Sequence, residues 1–177
     1  GVLADRETKK QKHPDDQNWN PGNTLNASIG QGDNEFSPLQ MARYISMLAN
    51  GGHKIDVSIV KTIRNSDGSE ASREEINKFV NKKLGLEEDT QEEKQLNQNY
   101  LNAVLQGMKS VTSDTGGTAY VRFKDFNISV GGKTGSAETS TGKVNAWFVG
   151  FAPADDPQVA ISVVIPNVKD YGSQAAA

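Results

Sequence analysis

The chain has 177 residues, 35% hydrophobic and 23% charged, with 17 glycines and a net charge of −3. That length supports one core and not obviously two, and the slight negative charge argues for no nucleic acid and no anionic membrane as a partner. Cysteine is absent, which excludes disulfides and thiolate metal sites, and no run of about 18 apolar residues offers a membrane span.

The low apolar share fits long polar loops, or part of a larger domain. Residues 4–24 are rich in Lys, Asp, Asn and Pro, so 1–24 reads as a polar loop region. Ser37-Pro38 then signals a helix start, with Ser37 as N-cap and Pro38 in the first helical position. Leu39, Ala42, Ile45, Leu48 and Ala49 recur at spacings of three and four, which predicts one buried face over Pro38–Asn50. Gly51-Gly52 supplies the left-handed stop. Val57–Ile63 alternates and is β-branched, so it reads as a strand or extended segment. Asn65-Ser-Asp-Gly68 is a turn.

Residues 70–94 form a charged insertion, with a short helix predicted over Arg73–Leu84 and an acidic stretch over Glu87–Glu93. Leu96, Tyr100, Ala103, Val104, Met108 and Val111 share one helical stripe, which predicts an amphipathic helix over Gln95–Ser110. Thr115-Gly-Gly-Thr118 breaks it. Three strands follow, Ile128–Ala137, Val144–Ala152 and Val159–Pro166, joined by a Gly142 hairpin and an Asp155-Asp-Pro157 turn. Short connections make them antiparallel neighbours. The last two are apolar on both faces and call for cover on both sides. The fold class expected is α/β in the α+β sense, an antiparallel sheet sandwiched between helices. Both ends read as cut, with Tyr171–Ala177 resembling the first turn of a further helix.

Lys133-Thr134-Gly135-Ser136 carries the strongest chemical signal. Gly131, Gly132 and Gly135 flank a lysine and two hydroxyls in the middle of a buried sheet. Polar groups are costly there unless a cleft opens, and glycine within a strand often marks the approach of a ligand or another backbone. The bland alternative is a strand whose glycines serve packing. A phosphate-binding loop fails as a rival: its first glycine would fall at Asn127, and a hairpin follows Thr134 where a helix is required.

A nucleophilic serine with a lysine base three residues on must lie on one helical face. Ser58-Ile-Val-Lys61 sits in the alternating segment and Ser140-Thr-Gly-Lys143 in the hairpin, so both read as decoys, and no Ser-x-Asn occurs. His13 and His53 have no partner at ligand spacing. Asn65–Gly68 lacks the acidic residue at the twelfth position of a calcium loop. The acceptor patterns at Asn26 and Asn127 are short and are discounted. No metal and no cofactor are expected.

Several blocks in order resemble the C-terminal half of the transpeptidase domain of class B penicillin-binding proteins. They are Asn23–Gly32, Ser37–Ala42 through Ala49–Gly52, Gly116-Gly-Thr-Ala119, Gly132–Glu138 and Asn145–Pro153. Two departures stand out. Ser136 replaces the usual threonine, and the family's first two motifs would lie before Gly1, with its closing helix after Ala177.

The resemblance implies a partial domain of the penicillin-binding transpeptidase and serine β-lactamase fold, with its other half as a partner. It implies a peptidoglycan D,D-transpeptidase that acts on stem peptides through an acyl-serine and is inhibited by β-lactams. Its place would be the extracytoplasmic face of the bacterial membrane, with the anchor outside this chain. Lys133 would act in catalysis, and Thr134 and Ser136 hydroxyls would hold the substrate carboxylate. Ser136 would lend its backbone N–H to an oxyanion hole, while Gly135 keeps the strand edge open. The nucleophile would not be in this chain, which alone would be inactive. The alternatives are a serine β-lactamase or β-lactam sensor of the same fold, and a non-catalytic domain that lost the serine.

Overall fold

Residues 1–55, 57–84, 96–139 and 141–168 are described by a computed structural model of the chain. The chain forms two compact units, Lys54–Gln95 and the remainder, Gly1–His53 together with the chain from Leu96 on. The acidic stretch 87–93, Ser140 and the segment 171–177 lie outside the described residues.

In the larger unit, α1 (Arg6–Lys12) and α2 (Pro21–Ser28) occupy the region expected to be loop. The sequence carries the reason. Asp5 accepts from the Thr8 N–H as N-cap, with Glu7 in the first turn and Lys9, Lys10 and Lys12 in the last. Those charges complement the helix dipole. Asn20 and Asn23 cap α2 reciprocally, with Pro21 in the first turn. Lys9 is 3% exposed, and its ammonium is held by Asp16 Oδ2 and Asn23 Oδ1, each at 3.0 Å. A buried ammonium needs such partners.

Helix α3 (Pro38–Ala49) follows the expected signals closely. Ser37 and Gln40 form a capping box, and Gly51 ends the helix at φ +85°. Helix α5 spans Gln98–Ser113, about one turn later than expected, because Asn97 caps it by accepting from the Asn99 and Tyr100 N–H groups. Its buried face differs too. Leu101, Met108 and Thr112 point inward, while Tyr100 and Val104 are exposed. The four-residue step from Leu101 to half-buried Leu105, then three to Met108, is an equally good helical stripe, and it is the one the sheet covers.

The sheet has order β1-β2-β3, with β1 (Gly131–Glu138), β2 (Val144–Ala152) and β3 (Val159–Val168) antiparallel. Strand β1 starts three residues later than expected and β3 runs two residues further. Directly opposed residues share a face. The register therefore places Gly131, Lys133, Gly135, Trp147, Val149, Phe151 and Ala160 on one face. Helices α3 and α5 cover it, with Ile45, Leu48, Leu101 and Met108 packed on Val149 and Phe151. The other face carries Gly132, Thr134, Ser136, Ala146 and Phe148. There Ala119 and the short helix α6 (Tyr120–Phe123) pack on Ala146 and Phe148, the Phe123 and Phe148 rings stacked at 5.4 Å.

The sheet is thus sandwiched over β1 and β2. Over β3 the second face differs from the expected full cover: Val159, Ile161, Val163 and Ile165 are exposed among the described residues.

The smaller unit holds α4 (Arg73–Leu84) with the expected bounds, and Ile76 is buried at 2% exposure. Ser72 and Glu75 cap it reciprocally. Residues 57–63 form no strand. An isolated bridge between Arg64 and Glu70 closes the Asn65–Gly68 turn instead. Among the described residues the alternating pattern there has no strand to pair with, while the Arg73 guanidinium takes the Val60 and Lys61 carbonyls.

Candidate active site

Strand β1 is one of the two edge strands of the sheet, so among the described residues one rim of its backbone is unpaired by another strand. Its glycines divide into two kinds. A Cβ on Gly131 would lie 2.3 Å from the Phe151 ring, and one on Gly132 would lie 2.5 Å from the Phe148 ring. These two let large core rings lie flat against the strand, so the packing reading holds for them and the cleft reading does not. Gly135 differs: a Cβ there would meet only Trp147 Cβ, at an ordinary 3.4 Å.

Lys133 is exposed between the buried Gly132 and Thr134, on the face that α3 and α5 cover. Its ammonium donates to the Thr134 carbonyl at 2.6 Å, and no carboxylate among the described residues forms an ion pair with it. A cation satisfied by one neutral carbonyl keeps donors and positive potential for another group.

Thr134 and Ser136 lie on the face opposite Lys133. Thr134 is buried at 5% exposure, and its hydroxyl is bonded to that of Thr118 at 2.8 Å. Thr118 itself is exposed. Ser136 is half-buried. Its carbonyl accepts from Gln31 Nε2 at 3.2 Å, and therefore points off the sheet. In an antiparallel strand a residue's N–H and C=O point to the same side, so the Ser136 N–H also faces the free rim. The sequence reading missed both Thr118 and Gln31. The Gly-Gln-Gly run at 30–32 was the available signal for Gln31, a polar side chain between two turn residues.

The serine-lysine pairs separate as well. Ser58 and Lys61 lie on no helix, and Ser58 Oγ is within hydrogen-bonding distance of the Val60 carbonyl and N–H. Ser140 lies outside the described residues. His13 binds Asp33 through Nε2 at 2.9 Å. Among the described residues no cluster of His, Asp and Glu could hold a metal ion, and no helix is long and apolar enough to cross a membrane.

Residues 3–177 match the family described as the penicillin binding protein transpeptidase domain. Penicillin-binding protein H of Bacillus subtilis is 39% identical over 163 residues, covering 84% of this chain and 21% of that protein. Peptidoglycan D,D-transpeptidase MrdA of Haemophilus influenzae is 26% identical over 98% of this chain and 27% of its own length. Among solved structures, Pseudomonas aeruginosa PBP2 in complex with WCK 5153 superposes with a TM-score of 0.74 at 30% identity. That match covers 99% of this chain and 36% of the other. The chain thus spans about a fifth to a quarter of the length of these curated relatives.

Proposed function

The chain belongs to the penicillin-binding protein transpeptidase family, class B, and on that premise we propose that it forms one wall of a peptidoglycan D,D-transpeptidase active site. The observation that carries the reading is the edge of β1. There an ammonium without a carboxylate partner among the described residues, Lys133, stands three residues before a backbone N–H that faces the free rim, at Ser136.

The chemistry is acyl transfer. A serine Oγ supplied from outside this sequence attacks the carbonyl of the penultimate D-alanine of a stem peptide and loses its proton to a base. The tetrahedral oxyanion collapses, and D-alanine leaves with a proton. The amine of a second stem peptide then attacks the acyl-serine, and the serine recovers its hydrogen. In this scheme Lys133 supplies positive potential where negative charge develops. The Ser136 N–H is one oxyanion donor, a contribution of about 10²–10³ in rate. Gly135, with no side chain, leaves room for substrate to lie along β1 as an added strand.

The Ser136 hydroxyl and the Thr118–Thr134 hydroxyl pair receive the terminal carboxylate. A hydroxyl that accepts from one neighbour can still donate to another group, so Thr134 can serve while bonded to Thr118. β-Lactams, whose strained amide presents the same carbonyl, occupy the same wall and remain as an acyl-enzyme. The site works at the extracytoplasmic face of the membrane, where stem peptides are.

The test is labelling of the full-length protein with a fluorescent penicillin, followed by peptide mapping. The reading expects one modified serine, outside the 177 residues, and no labelling of the 177-residue chain alone. Modification of Ser58 or Ser140 would overturn it.

A further inference from the structure

Gln31 belongs to a loop that is built to aim it. Gly30 and Gly32 on either side adopt φ +80° and +73°, a conformation that glycine reaches without steric cost. The Gln31 N–H donates to the Asn26 carbonyl at 2.9 Å, closing the end of α2. Its carbonyl accepts from Asn34 Nδ2 at 3.1 Å, and the same amide reaches the Ala27 carbonyl at 3.3 Å. Asn34 in turn accepts from the Ala4 N–H. The backbone of Gln31 is therefore pinned at both ends, and the half-buried side chain alone leaves the loop. It crosses 105 residues of sequence to donate to the Ser136 carbonyl on the rim of β1.

We infer that Gln31 is a positioning residue for the acyl-transfer site, holding the Ser136 carbonyl and, through the φ and ψ of Ser136, the direction of the N–H on the preceding peptide. The inference rests on the transpeptidase reading above. Its physical content is rotational. The Ser136 carbonyl and N–H belong to the two peptide planes that meet at its Cα, and an edge strand restrains each of those planes from one side only. Strand β2 restrains Ser136 through its neighbours Gly135 and Ala137, opposite Trp147 and Asn145. Among the described residues Gln31 is the side chain that restrains Ser136 from the rim. A preorganised donor stabilises a developing oxyanion without reorganising during the reaction, so loosening the backbone on either side of the Ser136 Cα costs rate. Because a carbonyl has two lone pairs, Gln31 can hold Ser136 while an added strand also donates to it.

The experiment compares full-length wild type with Gln31→Met and Gln31→Glu by the rate of acylation with a chromogenic penicillin and by melting temperature. Methionine keeps an unbranched chain of similar length and removes the donor. The expected result is acylation about 3- to 10-fold slower, the worth of one hydrogen bond, with an unchanged melting temperature. Glutamate presents an acceptor to an acceptor near pH 7 and becomes a donor once protonated. The ratio of Gln31→Glu to wild-type acylation should therefore rise as pH falls towards about 4.3. Acylation of Gln31→Met at the wild-type rate overturns the inference, as does a pH-independent Gln31→Glu ratio. A melting temperature lowered enough to unfold the domain also overturns it, since the contact would then hold the fold. Wild type that does not react with penicillin removes the transpeptidase reading and this inference with it. Wild type that reacts, beside a Gln31→Met that reacts alike, removes this inference alone.

Discussion

The hydroxyls of Thr118 and Thr134 lie 2.8 Å apart, on the face of β1 opposite Lys133. One triplet of sequence is thereby divided between two environments. Lys133 shares the face that α3 and α5 cover but is itself exposed, and Thr134 is packed beneath the segment that leads into α6. Substitution of each residue should separate rate from stability.

Thr134→Val keeps the shape of the side chain and removes its hydroxyl. Thr118 is exposed and can turn to water, so no buried partner is stranded. The expected loss is about 0.5–1.5 kcal/mol, the net worth of one hydrogen bond, measured by urea denaturation of the complete domain. The same variant should also bind a carboxylate-bearing penicillin less well than wild type. Unchanged binding would assign Thr134 to the fold alone.

The glycines of β1 should respond differently to the same change. Gly132→Ala drives a methyl into the Phe148 ring, which is 1% exposed and stacked on Phe123. Overpacking of that kind costs about 1–3 kcal/mol. Gly135→Ala meets only an ordinary contact, so its melting temperature should stay near that of wild type while acylation falls. Equal destabilisation by both variants would show that Gly135 also serves packing.

Asp155 gives a pH-dependent term. Its carboxyl is held below the usual value of 3.8 chiefly by the hydrogen bond from Lys109, at 2.7 Å, and by that ammonium's charge. A depressed carboxylate favours the folded state above its unfolded pKa, and the benefit is lost as pH falls through the folded value. The gap in melting temperature between wild type and Asp155→Asn should therefore be constant at neutral pH and close below pH 3.8. Since the Asp155 carboxylate is largely exposed, added salt should narrow the gap as well. A gap that widened on acidification would contradict this assignment.

The signals that proved readable were local and strong. Ser37-Pro38 and Gly51 marked α3 because a side-chain cap and a left-handed stop need those residue types. The run from Val144 to Ala152 marked β2 because both its faces are buried. Weaker signals misled. Helix α1 is short and polar, and it shows in the sequence only as an aspartate followed by a basic last turn. Its buried Lys9 depends on Asp16 and Asn23, a tertiary arrangement that no periodicity reports. For α5 two stripes were equally apolar, and the choice between them was made by the sheet.

The candidate site was legible as a motif and not as a geometry. Lys133 and Ser136 could be named from Lys-Thr-Gly-Ser on a strand. That Gly131 and Gly132 lie under phenylalanine rings, and that Gln31 and Thr118 reach the same strand, follows only from the register and the packing around it.

Lys133 is the residue on which the functional reading turns most directly. The decisive measurement is the acylation rate of full-length Lys133→Ala by a fluorescent penicillin, taken beside its melting temperature. Lys133 is exposed, and among the described residues its ammonium holds only the Thr134 carbonyl, so its loss should leave stability within about 0.5 kcal/mol, as for other exposed sites. Acylation should fall by about 10² or more, as when an electrostatic stabiliser of the transition state is removed. A lowered melting temperature with near-normal acylation would contradict the account and make Lys133 a structural residue of β1.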